Sequence, residues 1–331
     1  LGGRGITKTN IIGYPRTLDF TNKFVYDLTP RNKLTFTALN FFETFNQTDA
    51  QAQNIDRRTD RFRMRRTSQR HILGTTLSTT INAKTLAQTT VWHNIAHNDG
   101  MFYLPYTSVL QRQRNLRDSQ TGVKEDVSWM PDQKVRLSFG GALQIDGVNY
   151  YTFERAGNLY SPLEEEYVAP TRQYRFRLSN STSGNLYAQA VVNVTNRFSI
   201  TPGIRLDHYG LTGETLASPR FAARFNASNT VALTFATGIY RQPPSAFQFS
   251  LTPLNQDLKT QSATHIIGGV EWMVREDTRI RVEAFRKSYS DLVVQQVGPT
   301  PAFVSNGRYF NSGSGTASGF EVSVHRALTG F

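Results

Sequence analysis

Residues 134–146 alternate strictly between apolar and polar side chains. Val135, Leu137, Phe139, Leu143 and Ile145 share one parity, and Lys134, Arg136, Ser138, Gln144 and Asp146 share the other. A two-residue period puts the two sets on opposite faces of a β-strand. This strand is about 13 residues long, where globular strands usually have about five or six.

The rhythm returns along the chain. Phe198, Ile200, Ile204 and Leu206 oppose Ser199, Thr201, Arg205 and Asp207, with Pro202 interrupting the ladder. Phe221, Ala223 and Phe225 oppose Arg220, Ala222 and Arg224, and Val231, Leu233, Phe235 and Ile239 oppose Thr230, Thr234 and Tyr240. Ile280, Val282 and Ala284 oppose Arg279, Arg281 and Glu283; Phe320, Val322 and Val324 oppose Glu321, Ser323 and His325. The first third is noisier, with Leu18, Phe20, Phe24 and Tyr26 in step, then Leu34, Phe36 and Ala38. About 13 strands are expected, near 17–27, 33–45, 70–81, 87–97, 118–129, 134–146, 182–193, 197–209, 217–226, 230–240, 263–274, 279–290 and 317–326. No helix is expected beyond short loop pieces.

The connections fall into two classes that alternate. Short ones are rich in turn formers: Leu28-Thr29-Pro30-Arg31-Asn32, Asn82-Ala83-Lys84-Thr85, Met130-Pro131-Asp132-Gln133, Thr195-Asn196, Ala227-Ser228-Asn229 and Arg275-Glu276-Asp277-Thr278. Long polar ones cover roughly 46–69, 98–117, 147–180, 241–262 and 291–315, with 210–216 the short member of that class. Short turns on one rim and long loops on the other describe an up-and-down barrel in an outer membrane. Arginines and glutamates along the polar parity suit a water-filled or plugged lumen and would be costly in a packed sandwich core.

Composition narrows the alternatives. Cysteine is absent, which removes disulfides, thiolate metal sites and a cysteine nucleophile. Mean hydropathy is −0.42, and no run approaches the roughly 18 apolar residues of a spanning helix. Aromatics at 12% argue against disorder. The net charge of +12 fits solubility, nucleic acid or an anionic membrane surface. The chain opens on Leu1 without a secretion signal. Its first strand runs into a short turn, so a preceding rising strand and a signal are expected upstream.

Asn185-Leu186-Tyr187-Ala188-Gln189-Ala190, a turn, and Ile200-Thr201-Pro202-Gly203-Ile204-Arg205-Leu206-Asp207 form a hairpin ending in a G-x-R-x-D strand, and from here to residue 326 the chain resembles the C-terminal barrel region of TonB-dependent outer-membrane receptors. Ser218-Pro219-Arg220-Phe221-Ala222-Ala223 looks like the S-P-R segment that follows, and Gly238-Ile239-Tyr240-Arg241-Gln242-Pro243-Pro244 like a strand leaving into a G-x-x-x-x-P loop. Asn311-Ser312-Gly313-Ser314-Gly315-Thr316-Ala317-Ser318-Gly319-Phe320-Glu321 looks like the N-x-G-x-x-x-x-G-x-E lead-in to a later strand. Residues 1–184 match in rhythm only.

The resemblance implies an all-β fold, an incomplete antiparallel transmembrane barrel with about 13 of about 22 strands. Residues 1–331 would form one partial barrel domain, with the plug and the terminal strands missing. It further implies a receptor in the outer membrane of a Gram-negative-type bacterium, a monomer when full length. Such a receptor imports a scarce siderophore-, cobalamin- or glycan-like nutrient with energy from TonB, reached through the plug. A passive porin and a soluble extracellular adhesin are the alternative readings. A plug encoded upstream separates the first two, and folding without detergent marks the third.

No Ser/His/Asp signature, phosphate-binding glycine loop or zinc motif occurs, so no enzyme, catalytic residue or cofactor is expected. His93 and His97 would share a helix face, but on a strand they stand roughly 13 Å apart, too far for one ion. Glu164-Glu165-Glu166 reads as a solvated loop rather than a calcium site. Arg57, Arg58, Arg61 and Arg63 begin a basic run. In isolation it suggests nucleic acid; in an external loop it faces solvent or lipopolysaccharide phosphate, or steers an anionic chelate. Nucleic acid is not expected as a partner. Loop aromatics offer flat contact area for a small-molecule or chelate ligand, or pack on each other, or mark the interfacial girdle. The ligand-binding candidates are Tyr103, Tyr106, Tyr151, Tyr240, Arg241, Phe247 and Phe249.

Overall fold

The computed structural model describes residues 15–47, 63–103, 109–155, 171–295 and 308–327. They contain β1 (Arg16–Thr29), β2 (Asn32–Gln47), β3 (Arg63–Asn82), β4 (Thr85–Tyr103), β5 (Leu110–Trp129), β6 (Val135–Arg155) and β7 (Thr171–Asn193). Then follow β8 (Phe198–Tyr209), β9 (Glu214–Asn226), β10 (Val231–Gln242), the short helix α1 (Ala246–Ser250), a 3-10 turn (Pro253–Asn255), β11 (Gln261–Arg275), β12 (Thr278–Gln295) and β13 (Tyr309–Arg326). All 13 strands lie in one antiparallel sheet in chain order, with β1 and β13 as its two edges. It is an open part of an up-and-down barrel.

The short turns close on their own side chains. Thr29 Oγ1 accepts the amides of Arg31 and Asn32 at 3.2 and 3.1 Å, and Asp132 Oδ1 those of Lys134 and Val135 at 2.7 and 2.9 Å. Thr195 does the same for Arg197 and Phe198, and Ser228 for Thr230 and Val231. These residues satisfy turn amides locally, which is why such side chains punctuate hairpins. At the β11–β12 turn, hydrogen bonds from the Thr278 hydroxyl and then Arg326 hold the Asp277 carboxyl below the usual carboxylate range.

The apolar parity forms one face of the sheet. On β6, Phe139, Leu143 and Ile145 are 42, 54 and 48% exposed. Registered beside Leu143 stand Val123 and Gly184, and beside Phe139 stand Val127 and Ala188. The ten steps from Val135 to Ile145, at about 3.3 Å each and tilted about 40°, span about 25 Å along a barrel axis, the height of a lipid-facing band. No helix of the described residues is long and apolar enough to cross a membrane. The other parity carries Ser138, Gln144 and Asp146 and faces the side onto which the β10–β11 connection folds.

The strands run further than the sequence pattern suggests. Residues 63–69, 98–103, 110–117, 147–155 and 171–180, read as loop from their polarity, are strand. The reason is a change of surroundings: past Ile145 the inner face takes the buried Val148 and Tyr150 while the outer face turns polar at Asn149, so the apolar parity inverts while the hydrogen-bonded ladder continues. On β7 the parity itself switches. Asp146 pairs with Ser181, but Val148 pairs with Leu178, leaving one extra residue on β7. Asn180, at φ 58°, takes up that bulge.

Candidate functional site

Residues 243–260 leave β10 and fold back across the inner face. Pro243 and Pro244 have no amide to donate, which ends the ladder after Gln242. Ser245 then caps α1: its Oγ accepts the Gln248 amide at 3.3 Å, while Gln248 Oε1 accepts the Ser245 amide at 2.9 Å. Phe249, Ser250, Asn255 and Leu258 are buried in the segment. Asn255 Nδ2 donates to the Gln248 carbonyl at 2.7 Å, and its Oδ1 accepts the Tyr309 amide at 2.9 Å. Asn311 Oδ1 accepts the Lys259 amide at 2.7 Å, and Nδ2 donates to the carbonyls of Lys259 and Asp291 at 2.9 and 2.8 Å. One end of the segment is therefore tied to β12 and β13. The other end packs on β6 and β7, where Phe247 meets Tyr150 edge-on at 6.0 Å. It is a strap across the sheet.

Asn255→Ala should loosen this strap without unfolding the sheet. It leaves the Gln248 carbonyl and the Tyr309 amide without that partner, at about 1–3 kcal/mol for each group left buried and unsatisfied. Amide exchange across 246–260 should speed up while exchange in β6 and β7 stays as it was. Equal protection of the strap in the variant would show that Asn255 does not hold it.

Beneath the strap lies a cavity of about 370 Å³ bordered by Pro243, Ala246 and the inner faces of β4 to β8. Asp146 is its hub, accepting from Gln120 at 3.1 Å, from Ser183 at 3.2 Å and from Gln144 at 3.3 and 3.4 Å. Arg205 Nε donates to both oxygens of Asp207 at 2.8 and 3.0 Å. Asp118 adds a third carboxylate to the lining. Toward the long-loop rim the balance turns basic. Arg220 lies over the Tyr240 ring at 4.7 Å. Tyr240 also lies 4.4 Å from the His265 ring. The Nε atoms of Arg114 and Arg241 are buried without a hydrogen-bond partner among the described residues. The arrangement offers charged donors at the mouth, carboxylate and amide acceptors below, and aromatic area on the strap. That equips it to bind a polar small molecule; no reactive pair stands out in it.

The expected ligand-contacting residues divide between two faces. Tyr240 and Phe247 lie on the inner face, Phe249 is buried within the strap, and Arg241, in step with Phe235 and Ile239, follows the outer parity of β10. Tyr103 and Tyr151 lie on the outer parity, covered by Arg63 at 4.8 Å and Arg175 at 5.6 Å respectively. Arg63 thus sits on β3 rather than in a loop. Tyr106, Arg57, Arg58, Arg61 and Glu164-Glu165-Glu166 lie outside the described residues. His93 bonds Thr121 and His97 bonds Asn115.

Tyr150, Asp146, Arg205 and Asp207 are not among the expected ligand contacts, although Arg205 and Asp207 are the R and D of the G-x-R-x-D strand. Parity carried a signal for Tyr150: if Gln144, Asp146 and Val148 face inward, the next inward position is 150 rather than 151. Tyr150 is 1% exposed.

The chain matches, over residues 5–330, the family described as TonB dependent receptor-like, beta-barrel. Among solved structures it is similar to the ferric-catecholate import receptor Fiu of E. coli K12, at a TM-score of 0.67 and 14% identity, covering 97% of this chain and 56% of that one. It is similar to the copper transporter OprC at a TM-score of 0.68 and 12% identity, covering 97% and 52%. It is similar to the siderophore receptor PirA of Pseudomonas aeruginosa at a TM-score of 0.65 and 14% identity, covering 93% and 53%. The chain thus spans about half the length of these structures. A search of curated proteins found no match.

Proposed function

Since the chain belongs to the TonB-dependent receptor family, matched as its β-barrel, we propose that it forms part of the wall of an outer-membrane receptor that imports a small molecule or chelate. Residues 1–331 act as one partial barrel domain, and a plug and further strands complete the receptor. TonB supplies the energy through that plug, in the outer membrane of a Gram-negative-type bacterium, and the receptor works as a monomer. The family transports rather than catalyses.

The observation that carries this reading is the strap over the polar cavity. A passive channel wants an open lumen, whereas a segment held by Asn255 and Asn311 at one end and by Phe247 at the other partly covers the inner face. Pre-ordering of this kind lowers the entropy lost on binding. Arg220, over the Tyr240 ring on the inner face, favours an anionic ligand, and the names of the similar receptors, for ferric catecholates and siderophores, point to anionic iron chelates as the first class to try.

The intact receptor carrying Arg241→Ala with Phe247→Ala should bind a ferric catecholate at least about tenfold more weakly, the loss of one charge-assisted contact and one aromatic contact. Uptake should fall in parallel at unchanged surface expression. Unchanged affinity and uptake would leave these two residues a structural role only.

A further inference from the structure

Just past the apolar band, the outer face turns cationic. Two positions beyond Ile145 is Gly147, and two beyond that is Asn149. Asn149 is flanked by Arg117 on β5 and Arg177 on β7, and Arg117 is flanked in turn by His97. The next row places Asp99, Asn115, Tyr151 and Arg175 side by side. All three arginines are exposed and form no ion pair among the described residues. The one carboxylate in these rows, Asp99, accepts from Asn115 at 3.3 Å. Arg175 is oriented by the Tyr151 ring, 5.6 Å away. With strands about 4.8 Å apart, the backbones of Arg117 and Arg177 stand about 10 Å apart, close enough for two long side chains to bracket one anion.

The bulge at Asn180 creates this surface. With it, Arg175 and Arg177 share the outer face while Phe176 and Leu178 pair with Tyr150 and Val148 on the inner one. Without the extra residue, the arginines would point into the lumen and the apolar pair would face out.

A second feature lies on the same face, deeper in the band. Val123, Leu143, Leu186 and Leu206 border a mostly apolar groove of about 480 Å³, left open by Gly141 and Gly184. Glu125 also borders it, its carboxylate held by the Thr89 hydroxyl at 2.6 Å. The six residues from Asn149 to Leu143 cover about 20 Å of strand, or about 15 Å along the axis. That is half the roughly 30 Å hydrocarbon thickness of a bilayer, the depth an acyl chain reaches below its head group.

We propose that Arg117 and Arg177, supported by Arg175, hold a phosphate of the outer-leaflet glycolipid, lipid A in type, whose acyl chain lies in the groove between Leu143 and Leu186. A head-group clamp one acyl length above an apolar slot matches an amphipathic anion, not a free one. Arginine pairs phosphate through two parallel N–H donors, which gives the clamp its preference for a phosphorylated head group. This site rests on the outer-membrane reading and concerns the opposite face of the sheet from the strap.

The test uses the intact receptor in nanodiscs of neutral phospholipid, with bound lipid measured by native mass spectrometry. Wild type should retain bisphosphorylated lipid A about tenfold better than its dephosphorylated form. Arg117→Gln with Arg177→Gln should abolish that preference. Gly184→Leu, which fills the groove from an outward position, should weaken both lipids and keep the preference. A double variant that still prefers the phosphorylated lipid overturns the site. So does displacement of the lipid by inorganic phosphate with no dependence on acyl chains. Fractionation of cells separates the two premises: wild type missing from the outer membrane overturns the membrane reading and this site with it, whereas a correctly located receptor without the preference overturns the site alone.

Discussion

Phe139→Arg should cost the intact barrel about 2–4 kcal/mol, the penalty of a cation at the midplane of a lipid face. Ser138→Arg, one residue earlier, should cost much less. The two positions are neighbours with the same backbone pairing, so strand propensity and register are shared. They differ in the face they present. Phe139 is 42% exposed beside Val127 and Ala188, near the middle of the apolar band. Ser138 lies between Ser128 and Gln189 on the inner face, where Arg136 is already accommodated. Unfolding in denaturant from lipid vesicles measures both. Equal losses at 138 and 139 would mean that neither face is lipid-facing.

Parity alone makes this contrast legible in the sequence. Wherever one face is apolar and the other polar, a two-residue period identifies the strand, its faces and its register, because slipping by one residue exchanges the faces. Turn chemistry was equally legible, since Thr29, Asp132, Thr195 and Ser228 use local hydrogen bonds available to any chain. The pattern failed past the apolar band. There the ladder of β5 to β7 continues with its apolar residues moved to the inner face, as at Val148 and Tyr150, and backbone hydrogen bonding leaves no mark in side-chain hydropathy. The bulge was also hidden, because one inserted residue that flips Arg175 and Arg177 outward looks like any polar stretch.

The site was harder to read than the fold for a related reason. Tyr240 and Phe247 were visible as aromatics leaving a strand, but nothing local says that Phe247 will meet Tyr150, nearly 100 positions earlier in the chain. Such contacts depend on the path of the strap, which is fixed by side-chain amide hydrogen bonds at the buried Asn255 and at Asn311. Asparagine in a polar loop is ordinary in composition and singular only in place. The aromatic run at 150–153 shows the limit plainly: neighbouring tyrosines separate to opposite faces, one against the strap and one under Arg175.

Gly122→Ala should be among the most damaging small changes in the sheet, while Gly74→Ala should be close to neutral. Both glycines are register partners of Trp92, one on each side. The indole leans toward Gly122, where an added Cβ would meet Trp92 Cζ2 at 2.3 Å and the Leu143 carbonyl at 2.8 Å; at Gly74 it would meet nothing within 4 Å. The ring can move, but the Leu143 carbonyl is part of the ladder and cannot yield without disturbing the β5–β6 pairing. Overpacking of this kind costs about 1–3 kcal/mol, occasionally more. The most economical escape is for Trp92 to swing toward the open space over Gly74. That escape makes a further demand: Gly74→Ala should become costly once Gly122→Ala is present, so the double variant should lose more than the sum of the single ones. Trp92→Ala in the Gly122→Ala background should recover only part of the loss, because the carbonyl contact remains. Strict additivity of Gly74→Ala and Gly122→Ala would mean that the indole does not choose between the two glycines, and that the clash is with the backbone alone.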